Sequence, residues 1–179
     1  MGQSRTDLQL VLRATAFAAR KHSEQRRKDA SASPYINHPI ALAKILTEEG
    51  GVTDPRVIAA ALLHDTIEDT ETTYRELRGE FGETIAEIVA EVTDTKWLGS
   101  ATRKKLQVSK ASRASKGAKL VKLADKIANV RDMLASPPAG WSLQRRREYF
   151  DWAKTVVDQL RGTNARLERK FDQIFEQRP

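Results

Sequence analysis

An all-α fold of about eight to ten helices is the architecture this sequence predicts. Three observations carry it. Apolar residues recur at three- and four-residue spacing through most of the chain. Proline and glycine stand where those runs begin and end. No stretch alternates apolar and polar residues long enough to read as a strand. No repeat or linker divides the chain, so residues 1–179 read as a single compact domain.

The first helix is expected along Leu8, Leu12 and Phe17, ending near Lys21–Gln25. The polar segment "RRKDASASPY" follows, with Pro34 as breaker. His38-Pro39 reads as a helix start, since proline suits the first helical position, and the run Ile40, Ala43, Leu46 ends at "EEGG". In "TDPR", Asp54 is a cap and Pro55 a first helical residue; Val57, Ile58, Ala61 and Leu62 then lead into His64. Thr73 and Glu76 have capping-box spacing and open a short helix ending near Gly82. Ile85, Ile88, Val89 and Val92 mark the next helix, and Leu120, Leu123, Ile127, Val130 and Leu134 a long one. "SPPAGW" interrupts, Ser142 can cap a helix along Phe150, Ala153, Val157 and Leu160, and "RGTN" turns into a last helix along Leu167, Phe171, Ile174 and Phe175.

Composition narrows the function. Hydrophobic residues are 40% and charged residues 31%, a balance of folded globular chains rather than disordered ones. There is no cysteine, which removes disulfides and thiolate metal sites, so any metal is held by imidazole, carboxylate or carbonyl groups. No apolar run approaches the roughly 18 residues of a membrane span. The charged, amphipathic N-terminus is not a secretory signal. "MGQSRT" fits the loose myristoylation pattern, a short pattern that recurs by chance. The expected compartment is the cytoplasm.

The net charge is +7, unevenly spread. Residues 95–124 contain no Asp or Glu and nine basic residues: Lys96, Arg103, Lys104, Lys105, Lys110, Arg113, Lys116, Lys119 and Lys122. That segment carries +9, leaving 7 minus 9, or −2, for the rest of the chain. A concentrated basic stretch points to an anionic partner; a solvated surface face is the plainer alternative.

The chemistry concentrates in "ALLHDTIEDT", where an apolar run meets His64 and Asp65, and Glu68 and Asp69 follow one turn later. Burying such groups costs several kcal/mol each, on the order of measured penalties, unless they are paired or bind a metal. His64, Asp65 and a second histidine, His38, begin a plausible metal site, with Asp125 a candidate further ligand and Asn129 on its side of the helix. Pairing of Asp125 with Lys122 or Lys126 at the surface is the alternative. Glu68 and Asp69 can move protons to or from water or a leaving group, or else form a helix-terminal acidic surface. His22 reads as a surface residue.

Taken together, "PYINHP", "LLHDTIEDT" and "KLADKIANVRDM" resemble the metal-dependent HD phosphohydrolases, and within them the hydrolase domain of RelA/SpoT-type alarmone enzymes. The resemblance runs from "AFAARKH" through "EYFDWA" to "GTN" and is greatest to the small stand-alone hydrolases, including the animal SpoT-like homologue. It implies metal ligands His38, His64, Asp65 and Asp125, usually for one Mn2+ ion, and Glu68 and Asp69 as the pair that activates water. It implies Asn129 beside the nucleotide, with Arg27, Lys28, Tyr149, Lys96 and Trp141 around it. The implied reaction removes pyrophosphate from the ribose 3′ position of guanosine tetra- or pentaphosphate, giving GDP or GTP. The chain ends where a synthetase domain would begin, so alarmone synthesis is not expected.

Two other classes compete. One is another nucleotide phosphohydrolase, such as an NADPH 2′-phosphatase. The other is a nucleic-acid- or nucleotide-binding helical module using residues 95–124, although only Trp97 interleaves the cations and nucleic acid is not an expected partner. An intact ligand set argues against a catalytically dead sensor. Among the nine cations Lys96 is the first candidate for substrate contact, with Arg103, Lys104 and Lys105 closer to neutral.

Overall fold

Ten α-helices and one π-helical turn form the regular structure of the described residues. The computed structural model describes residues 2–29 and 31–179, without the side chains of residues 2–5, so the "MGQSRT" pattern falls largely outside it. The helices are α1 (Gly2–Lys21), α2 (Asn37–Lys44), α3 (Pro55–Leu63), α4 (Thr66–Asp69), α5 (Tyr74–Phe81), α6 (Glu83–Val92), α7 (Ser100–Ala111), α8 (Lys116–Ala135), α9 (Leu143–Asp158) and α10 (Ala165–Phe175). The π turn, Ile45–Glu49, continues α2. The described residues contain no strand, only an isolated antiparallel bridge between Arg26 and Pro34.

Local chemistry sets the helix starts. Asp54 accepts the Arg56 N–H at 2.9 Å, Thr73 that of Glu76 at 3.1 Å, and Ser142 that of Arg145 at 3.2 Å. Asn164 accepts from both Arg166 and Leu167 (3.0 and 3.1 Å). Gly82 ends α5 and opens α6 at φ 86°, a left-handed value that suits glycine. Helix α2 begins at Asn37, earlier than His38-Pro39 predicts; Pro39 still falls in the first turn, where an N–H has no helical acceptor.

Helix α8 runs through the middle, packing against α2, α3, α6, α9 and α10. Leu120, Val121, Leu123, Ile127 and Val130 on it are buried, and the core continues through Leu42, Leu46, Leu63, Ile85, Val89, Phe150, Leu167 and Phe171. Even Lys122 and Lys126 are buried, because neighbours surround α8 on nearly every side.

Several expectations need correction. Leu8 and Leu12 are 60% and 58% exposed, whereas Phe17 of the same predicted stripe is buried, together with Ala14 and Ala18. Periodicity alone does not say which residues of a stripe meet the core. Helix α7 lies inside the basic stretch, where few apolar residues mark it. It is anchored by buried Ala111 and by the Trp152 indole N–H donating to Lys104 O at 3.2 Å. His22 is not a surface residue but 3% exposed.

Candidate active site

The apolar helix α3 ends at His64, so its last turn delivers that side chain and the next to the interior boundary. His64 caps α3 and Asp65 precedes α4. The change of direction between the two helices lets adjacent residues face one centre, which a continuous helix, turning about 100° per residue, would prevent. His38 comes from the first turn of α2. Donor atoms of His38, His64 and Asp65 lie within 4.8 Å of one another, and the two imidazole rings are 5.3 Å apart.

Asp125, from α8, adjoins this group with Oδ1 3.2 Å from His38 Nε2. Asn129 Nδ2 donates to the same oxygen at 2.6 Å, and Lys126 Nζ to Oδ2 at 2.9 Å. The Asp125–Lys126 pair, the surface alternative to a ligand role, is thus an interior one, with the ammonium 4.6 Å from the Trp152 ring centre. The Tyr35 hydroxyl donates to Asp65 Oδ2.

The donor set fits a divalent cation. His64 Nδ1 is 2.8 Å from Ala61 O. This fixes the ring and leaves Nε2 buried, without a hydrogen-bond partner. Asp65 Oδ2 is 2.9 Å from Nε2 but off the line of a hydrogen bond. The local field favours positive charge: burial disfavours a charged imidazole, yet Asp65 and then Asp125 push the His64 pKa up to about 9. Two imidazoles and carboxylate oxygens suit a first-row divalent ion without selecting among them.

Glu68 and Asp69 diverge from α4. Glu68 Oε2 accepts the Asp94 N–H at 3.0 Å, and Oε1 is 3.4 Å from Arg103 Nη1. Burial, opposed by that N–H and reinforced by the Asp65, Asp94 and Asp69 carboxylates, raises the Glu68 pKa to about 7. Asp69 Oδ2 accepts from Gln25 Nε2 at 2.9 Å, and Oδ1 is 3.4 Å from Lys96 Nζ.

Two cavities meet at Tyr35, His38 and Asn129. One, of about 580 Å³, contains His64, Asp65, Glu68 and Asp125 in its walls. The other, of about 530 Å³, is lined by Asp69. Arg27, Lys28, Asn129, Trp141 and Tyr149 line both. Lys96 lines neither: it is exposed, and its ammonium turns to Glu68 O (3.1 Å) and Asp69. Of the nine cations, Arg103, Lys104 and Lys122 line the first cavity instead. Helix α7 aims Arg103 and Lys104 there, so missing α7 meant missing them. Tyr35, Asp94, Lys126 and Trp152 were also missed as site residues. Tyr35 stands inside "PYINHP", and that was its only signal.

Residues 14–151 match the HD domain. The chain belongs to the HD domain family. Hydrolases of this family are metal-dependent, in keeping with the His/His/Asp cluster. This HD domain chain is 55% identical over 170 residues to the Xenopus tropicalis guanosine-3′,5′-bis(diphosphate) 3′-pyrophosphohydrolase MESH1, covering 95% of both chains. It is 55% identical over 168 residues to the Homo sapiens protein of the same name, covering 94% of each. A solved structure described as a metazoan ortholog of SpoT that hydrolyzes ppGpp superposes with a TM-score of 0.91 at 48% identity, covering 94% of this chain and 95% of that one. No helix among the described residues is long and apolar enough to cross a membrane.

Proposed function

We propose that this chain, as one hydrolase domain over residues 1–179, hydrolyses guanosine 3′,5′-bis(diphosphate) and the pentaphosphate at the ribose 3′ position in the cytoplasm. The observation that carries the reading is Glu68, with a pKa near 7, beside the His38, His64 and Asp65 donors in a cation-lined cavity. The names of the relatives support the substrate.

His38, His64, Asp65 and Asp125 would hold one Mn2+ ion. When bound, the ion polarises the phosphoryl group and lowers the pKa of water. Water adds to the phosphorus attached to the 3′ oxygen, and the 3′ oxygen–phosphorus bond breaks. Glu68 takes the proton from water and a proton returns to the 3′ oxygen, giving the free hydroxyl and pyrophosphate. Burial makes Glu68 hold a proton more readily than an ordinary carboxylate, so one group serves both transfers. Asp69 orients the nucleophile and Asn129 the nucleotide, while Arg27, Lys28, Arg103, Lys104 and Lys122 answer the phosphate charge and Trp141 and Tyr149 provide flat walls.

The test is product analysis after incubating guanosine tetraphosphate with the protein and Mn2+. GDP and pyrophosphate in equal amounts are expected. Release of single phosphates, or turnover confined to NADPH, would overturn the reading.

A further inference from the structure

One buried histidine has no task in the reaction above. His22 follows α1, is 3% exposed, and lines neither cavity. Its ring rests against Tyr35, with centroids 4.8 Å apart. Nδ1 is 2.6 Å from Gln25 Oε1, and Gln25 Nε2 donates to Asp69 Oδ2 at 2.9 Å.

The chemistry of these groups fixes the direction of the chain. An ionised carboxylate can only accept, so the Gln25 amide must turn its NH2 to Asp69 and its oxygen to His22. That oxygen needs a donor, which places a hydrogen on His22 Nδ1. His22 therefore donates through Nδ1 to Gln25 Oε1. His22 Nε2 is buried and has no hydrogen-bond partner among the described residues. The backbone holds Gln25 as well: its N–H donates to His22 O at 3.0 Å, and its carbonyl accepts from Tyr35 N at 3.1 Å.

Asp69 needs such a tie. It is the last residue of the four-residue helix α4. Its other oxygen faces the exposed Lys96 at 3.4 Å, a long and solvated contact.

We infer that His22 is a positioning residue: through the Gln25 amide it fixes the orientation of the Asp69 carboxylate, and so sets turnover without touching substrate. This rests on the proposed hydrolysis. His22→Phe removes the donor and is expected to lower kcat about tenfold, within the range for groups that orient active residues, with KM little changed. His22→Asn keeps an N–H at similar reach and is expected to recover most of the loss. In an Asp69→Ala background His22→Phe should have no further effect on kcat, because the group it orients is gone.

Multiplying losses in that double variant, or a His22→Asn variant as slow as His22→Phe, would overturn the inference. If His22→Phe fails to fold, Gln25→Met takes its place in the same cycle. Nitrogen-15 NMR of the histidines gives a readout independent of turnover. Protonation of His22 at Nδ1 is expected in the unsubstituted protein, with loss of that preference in Asp69→Ala, where the amide is free to turn. An Nε2–H tautomer, or a preference unmoved by Asp69→Ala, overturns the inference even if guanosine tetraphosphate is not the substrate. The expected NMR result without pyrophosphate release would fell the substrate assignment alone.

Discussion

The backbone N–H of Asp94 donates to Glu68 Oε2 at 3.0 Å, tying the carboxylate to the segment that follows α6. One hydrogen bond does not repay its burial among three other carboxylates, and the Glu68 pKa stays near 7, above its usual 4.5. A group whose folded pKa is raised binds more protons in the folded state. Its ionisation therefore costs stability as pH rises from about 4.5 through about 7. Glu68→Gln in metal-free protein should match the parent near pH 4 and melt at a higher temperature at pH 8. Equal melting temperatures at pH 8 would show that the ionised carboxylate is satisfied where it sits.

The same group predicts a rate profile. Acting as base on water, Glu68 must be ionised, so kcat/KM should fall as pH drops through its pKa in the metal-loaded enzyme, which the cation beside it brings below the metal-free value of about 7. Glu68→Gln should lose about 10²–10⁴ in rate and with it this acidic limb. A limb that persists unchanged in residual Glu68→Gln activity assigns it to another residue.

Metal dependence separates ligand from proton carrier. Exhaustive chelation should abolish activity and Mn2+ should restore it. Asp125→Ala should lower metal affinity, whereas Glu68→Ala should keep the metal and lose turnover. Equilibrium dialysis of both variants decides; equal metal loss would place Glu68 among the ligands.

The basic segment should divide by position. Arg103, Lys104 and Lys122 line the cavity, while Lys105 is exposed. Arg103→Ala should raise KM for guanosine tetraphosphate several-fold, and more than for a monophosphate ester. Lys105→Ala should leave kcat unchanged and flatten the salt dependence of kcat/KM, converging on the parent at high salt, as for a charge that steers at long range. Steady-state kinetics at two salt concentrations distinguish them. Lys96→Ala should act through Asp69 and appear in kcat.

Stability has a local test at Asn164. Its carbonyl oxygen caps α10, and its Nδ2 donates to Gly50 O at 2.9 Å, joining α10 to the turn after the π-helical segment. Asn164→Ala should cost about 1–2 kcal/mol. Denaturant melts with unchanged m value and a lower midpoint are the expected record.

The sequence by itself determined the helical class and most helix boundaries, because capping by Asp54, Thr73 and Ser142 and the 3.6-residue period are local properties. It also determined which residue types converge: a chain without cysteine that sets His64-Asp65 after an apolar run limits the available chemistry. Only the tertiary structure decided where unmarked groups go. Helix α7 is too polar to announce itself, yet it puts Arg103 and Lys104 in the cavity wall. Lys126 looks like a surface partner for Asp125 until α8 is surrounded by other helices. His22 reads as exposed because its neighbours are polar, but its burial comes from contact with Tyr35, thirteen residues on. Caps and periods are written in adjacent residues, whereas burial and electrostatic environment depend on segments far apart in the chain, and only packing brings those together.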